Sequence, residues 1–122
     1  MIDDATWREL ATVCERAYPR EACGWLVDTV RTATPGGRDA FAFSDDDLLA
    51  LAAAMRSPSP PRLLFHSHPD GDATFSAADR DTLALHPLPH VVVAVAAGRA
   101  RAATLYAWRD GAHVAIACWS PP

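Results

Sequence analysis

The chain has 122 residues, enough for one domain, expected to span 1–122, with one core that buries roughly two-thirds of the unfolded surface. Half the residues are hydrophobic and 21% are charged, which excludes an intrinsically disordered chain. The formal net charge is −4, from 15 acidic against 11 basic side chains. Every basic residue is Arg, and none clusters beyond the pair Arg99 and Arg101, so no nucleic-acid partner is expected: phosphate binding needs concentrated positive charge. Cys14, Cys23 and Cys118 form no CxxC and cannot all pair, which fits a reducing compartment. The start MIDDATWREL has no leader pattern, and no apolar run approaches the ~18 residues of a membrane span. A cytoplasmic location with no membrane partner is the expectation.

Taken in chain order, Trp7, Leu10, Ala11, Cys14 and Ala17 recur at helical spacing and predict an amphipathic helix over about 4–17, closed by Pro19. Residues 22–30 read as a buried strand, 31–39 as a turn punctuated by Pro35, Gly36 and Gly37, and 40–43 as a short strand. Ser44 with Asp47 forms a capping-box pattern that opens a second helix, with Asp45 to Asp47 at the positive end of its dipole. Leu48, Leu51, Ala52 and Met55 give that helix one apolar face. The Ser/Pro run at 57–61 is a stiff connector, and 62–65 is a strand leading into two histidines. A third helix is predicted from Ser76 to about His86. HVVVAVA at 90–96 is apolar throughout and so a central strand. Strands follow at about 101–108 and 112–118, joined by Asp110-Gly111, a two-residue hairpin signal. Strands alternating with three helices and ending in a run of strands predict an α/β fold with a mixed sheet.

The informative stretch runs from His66 to Asp79. Side chains two apart on a strand share a face, so His66 and His68 can present two imidazoles to one point. Pro69 holds His68 extended, and Asp70-Gly71 turns the chain back. If Ser76 caps the third helix, Asp79 lies in its first turn and can face the histidines. Ser76-x-x-Asp79 is also a common capping box and needs no further role. Two imidazoles and a carboxylate leave a fourth corner for water, the pattern of a catalytic zinc site. A general base still assists proton removal from such a water. Spacing does not choose among Glu9, Glu15 and Glu21, but Glu21 stands between Pro19 and a buried strand, where an unpaired carboxylate is costly.

HSHP, six residues, then S-x-x-D, with an upstream Glu, resembles the motif of the JAMM/MPN+ zinc metalloproteases. YPREACGWLV resembles the segment that carries the catalytic Glu in short prokaryotic members. The resemblance covers nearly the whole chain. It implies one zinc ion held by His66, His68 and Asp79, with Glu21 as general acid/base and Ser76 helping to stabilise the tetrahedral oxyanion. It implies a curved mixed sheet flanked by about three helices, related to the cytidine-deaminase-like arrangement. It further implies hydrolysis, by zinc-activated water, of an amide or isopeptide bond at the C-terminal tail of a ubiquitin-like or sulfur-carrier protein. By that resemblance the chain is expected to lack the insertions with which larger eukaryotic members grip a distal ubiquitin and a linked lysine, which favours a simpler substrate.

The alternative is a non-catalytic binding module for ubiquitin-like proteins, although such members usually lack a ligand and none is missing here. A zinc nucleoside deaminase would need H-x-E and P-C-x-x-C, and neither is present. His86, His90 and His113 read as structural or exposed, Asp70 and Asp72 as turn formers, and Cys23 as a buried small residue that shares a strand face with Glu21. The sequence leaves open whether the chain is a homodimer.

Overall fold

The computed structural model describes residues 2–38 and 40–121. Its elements are α1 (Asp4–Ala17), β1 (Cys23–Leu26), β2 (Val30–Thr32), α2 (Asp45–Met55), β3 (Leu63–Pro69), α3 (Ala77–Leu83), β4 (His90–Ala96), β5 (Arg99–Arg109) and β6 (Ala112–Trp119). The strands form one six-stranded sheet in the order β2-β1-β3-β4-β5-β6. Only the β3–β4 pair is parallel, because only there does a helix, α3, carry the chain back to the starting edge. The fold is therefore the α/β arrangement with a mixed sheet and three helices that the sequence predicts.

Period-2 alternation along β3 and β4 assigns their side chains to two cores. Leu63, Phe65, Val91, Val93 and Val95 join Trp7, Leu10 and Cys14 of α1 in one apolar cluster. Leu64 joins Trp25, Phe41, Phe43, Leu51 of α2 and Leu83 of α3 in the other. Asp3 caps α1 by accepting from the Thr6 amide, and Ser44 caps α2 by accepting from Asp47. The hairpin between β5 and β6 turns at Asp110 (φ 51°) and Gly111 (φ 81°), the left-handed pair that a two-residue turn requires.

Three expectations need correction. The run 22–30 is two strands: the chain turns at Val27–Thr29, with the Thr29 amide donating to the Asp28 carboxylate and the Val27 amide to the Thr29 carbonyl, and β2 pairs back on β1. Residues 40–43 form no strand; Phe41 and Phe43 are buried by packing edge-on against each other, not by ladder pairing. On α2 only Leu51 is buried, while Leu48 and Met55 stay exposed, as do Leu49 and Leu85. The last residue of the predicted 31–39 turn lies outside the described residues.

Candidate metal centre

His66 and His68 stand on the α2–α3 side of β3, from its middle to its C-terminal end. His66 is completely buried and His68 partly so. The chain turns at Asp70 (φ 56°) and re-enters as α3, whose N-cap is Ser76. The predicted capping box is formed in full: the Ser76 hydroxyl oxygen accepts from the Asp79 amide at 3.1 Å, and the Asp79 carboxylate accepts from the Ser76 amide at 2.9 Å. That box aims Asp79 at the histidines. Asp79 Oδ2 lies 3.0 Å from His66 Nε2 and 2.9 Å from His68 Nε2, and the two ring nitrogens are 3.0 Å apart.

Glu21 reaches the same place from the other side of the chain. Its amide donates to the Gly37 carbonyl, and its carbonyl accepts from the Gly36 amide, so the Pro35–Gly37 turn grips it from both sides. The next residue is tied to β3: Ala22 donates to Ser67 Oγ at 2.8 Å, and the Ser67 amide donates to the Ala22 carbonyl. The residue is 2% exposed. Glu21, His66, His68 and Asp79 each bring a ligand atom within 4.8 Å of the others, the only such group of metal-capable side chains among the described residues.

Electrostatics and tautomers agree with a cation-binding role. Burial alone would raise the Asp79 carboxyl, yet hydrogen bonds from His66 and His68 and from the Ser76 amide hold it well below the usual carboxylate range. Burial likewise opposes charge on His68, but its bonds to Asp79 and to the Asp72 carbonyl outweigh that and raise its pKa. His68 Nδ1 is 2.7 Å from the Asp72 carbonyl, an atom that can only accept, so Nδ1 carries a proton and Nε2 faces Asp79. His66 is pushed down chiefly by burial. Its ring is held face to face by Phe41, centroids 4.4 Å apart.

The near-equilateral triangle of two Nε2 atoms and Oδ2 fits a tetrahedral zinc ion. Bonds of about 2.0–2.1 Å would require edges of about 3.3 Å, against the 2.9–3.0 Å present. Three N/O donors with one open corner match the donor chemistry of a catalytic site more than a closed structural one. The cleft beside it, about 200 Å³, is lined by Glu21, Arg38, His68, Pro69, Gly71 and Ser76. Arg38 is tethered by Asp70 at 2.8 Å, and Asp70 also accepts from the Tyr18 hydroxyl and the Ala97 amide.

Thus all five residues singled out in the sequence line one place, while His86 and His113 lie elsewhere. Cys23 pairs in register with His66, but burial pushes its thiol up to about 12 and it donates to the Thr34 carbonyl, so it is an inert neighbour. Three contributors were missed. Phe41 and Arg38 come from a loop whose path no local pattern reveals. His90 hydrogen-bonds His66 across the β3–β4 pair, a contact set by register.

The chain shares its fold with two proteins of known solution structure. Protein DSY2949 from Desulfitobacterium hafniense superposes with a TM-score of 0.70 at 21% identity, over 93% of this chain and 86% of that one. A protein from Salinibacter ruber superposes with a TM-score of 0.63 at 24% identity, over 98% and 90%. No curated protein matches the chain. The family model for prokaryotic homologs of the JAB domain matches residues 3–110, a span that contains both halves of the site, and the chain belongs to that family.

Proposed function

We propose that this protein is a zinc-dependent metallopeptidase that hydrolyses an amide or isopeptide bond at the C-terminal tail of a ubiquitin-like or sulfur-carrier protein. The observation that carries the reading is the His66–His68–Asp79 triangle with the buried Glu21 within 4.8 Å. His66, His68 and Asp79 would hold the metal. Bound zinc supplies Lewis acidity, which makes water a nucleophile at neutral pH and polarises a carbonyl.

The remaining work falls to side chains of this chain. Glu21 would take the proton from the attacking water and return it to the departing amine, so no acyl-enzyme is needed. The Ser76 oxygen is already occupied as an acceptor by the Asp79 amide, which leaves its hydroxyl proton free to donate to the developing oxyanion. The cleft is small, about 200 Å³, which suits an extended, small-residue tail laid beside the sheet with its backbone groups paired.

The test is to incubate the zinc-loaded protein with ubiquitin-like carriers bearing C-terminal extensions and to locate the cut by mass spectrometry. Glu21→Gln should keep the metal and lose activity by about 10²–10⁴-fold, the usual worth of a general base. Full residual turnover in that variant removes Glu21 from the mechanism. Stoichiometric tail binding without any product favours the binding-module alternative.

A further inference from the structure

His66 differs from the other histidine of the triangle in what supports its second nitrogen. A metal-ligating imidazole normally donates its far N–H to a carboxylate or a carbonyl, which fixes the tautomer and leaves the inner nitrogen bare. His68 follows that rule through the Asp72 carbonyl. For His66 the partner is another imidazole: Nδ1 lies 2.6 Å from His90 Nε2, and both rings are completely buried. His90 opens β4, where it pairs in register with Leu64, two residues before His66, which pairs with Val92. Its own far nitrogen, Nδ1, is buried with no hydrogen-bond partner among the described residues, and the ring is flanked by Phe75, with centroids 5.3 Å apart and nearly perpendicular planes, by Phe41 at 6.3 Å and by His113 at 6.4 Å.

A carbonyl can only accept, but an imidazole can accept or donate, so the His66–His90 bond has two arrangements with one proton on each ring. In one, His90 Nε2–H donates to His66 Nδ1; His66 then carries its proton on Nε2, donates it to Asp79 and cannot ligate. In the other, His66 Nδ1–H donates to His90 Nε2; His66 Nε2 is bare, and the His90 proton sits on the enclosed Nδ1. The ring pair has the same proton count in both. The first arrangement pairs every N–H. The second leaves one buried N–H without a partner, which is unfavourable.

We infer that His90 is the positioning residue of this centre: as hydrogen-bond acceptor it fixes His66 in the metal-ready tautomer, and metal uptake displaces the His66 Nε2 proton, moves the shared proton from His90 Nε2 to His66 Nδ1, and puts one proton back on His90 Nδ1. The inference rests on the metal-site reading above. It assigns to a strand residue outside the His-x-His motif the role that a carbonyl plays for His68.

Two measurements test it. Long-range proton–nitrogen correlation spectra of histidine-labelled wild type report each tautomer directly. With zinc, protons are expected on Nδ1 of His66 and on Nδ1 of His90; a bare His66 Nδ1 or a protonated His90 Nε2 in the loaded protein overturns the inference. In chelator competition, His90→Phe, which removes the acceptor, should weaken zinc binding by about 10–100-fold and alter the cobalt(II) visible absorption bands. His90→Gln, which restores a carbonyl acceptor, should recover most of both. Wild type that takes up neither zinc nor cobalt(II) defeats the metal reading and this inference together. Wild type and His90→Phe binding zinc equally defeats only the inference.

Discussion

On the α1 side of the sheet, β3 and β4 present Leu63, Phe65, Val91, Val93 and Val95 to a helix face of Trp7, Leu10 and Cys14. On the other side the same strands present Leu64, His66, His68, His90 and Val92. The first side is stabilised by non-directional apolar burial, about 1.5–3 kcal/mol for each large side chain. The second buries Glu21, His66, His90 and Asp79, groups that are costly to desolvate unless each finds a partner. The difference teaches how so small a chain can hold a buried polar centre: the dry face fixes the strands, and the strands then hold imidazoles and carboxylates in register. Ser67 shows the division at single-residue scale. Between two histidines that face the site, it points the other way and ties Ala22, and so Glu21, to β3.

If the faces divide labour in this way, a cut in the apolar one should cost stability and leave ligand geometry alone. Phe65→Ala is expected to destabilise by about 3–5 kcal/mol in urea unfolding, with the zinc affinity of the folded fraction unchanged. A parallel fall in affinity would show that the faces are not separable. Ser76→Ala acts on the other side and is expected to cost only about 1 kcal/mol through the lost cap. Its turnover should drop by about 10²-fold, the usual effect of removing an oxyanion donor. A rate loss no larger than the stability loss explains would reduce Ser76 to a cap.

The smallest effect is one of pH. Asp79 is depressed on folding, so its contribution is present above about pH 4 and is lost as pH falls through its lowered value. His68 is raised, so its contribution is complete below about pH 6.5 and is lost as pH rises through the raised value. Metal-free protein should therefore show extra thermal stability between about pH 4 and 6.5, and Asp79→Asn should lack it. Since a metal and a proton compete for His68 Nε2, zinc affinity should also begin to fall at a pH above the ordinary histidine value. Melting curves in chelator that stay parallel for the two proteins would count against the Asp79–His68 pair.

Much of this centre is readable from the chain alone because it is written in local periods. Two residues on a strand share a face, and a serine three residues before an aspartate caps a helix. These rules bring His66, His68 and Asp79 together without knowledge of the rest of the fold. Glu21 needed more, since only the grip of the Pro35–Gly37 turn and the Ser67 tie place it. The break at Val27–Thr29 escaped because its apolar flanks read as one run, while an Asp28 side-chain bond bends the backbone. Phe41 and Phe43 alternate like a strand, yet their burial comes from aromatic neighbours. His90 looked like any strand-end histidine; its partner is fixed by which residue of β4 lies beside which residue of β3.

Asp79 Oδ2 accepts from the Ser76 amide while it faces both imidazoles. One oxygen therefore starts a helix and forms a corner of the triangle. If the site takes the metal proposed for it, loading it and fraying the first turn of α3 would be linked events, with the Ser76 amide as a built-in gauge of occupancy. Its hydrogen exchange should slow when metal anchors Asp79 and quicken when a chelator releases it, reporting on the centre through a backbone proton.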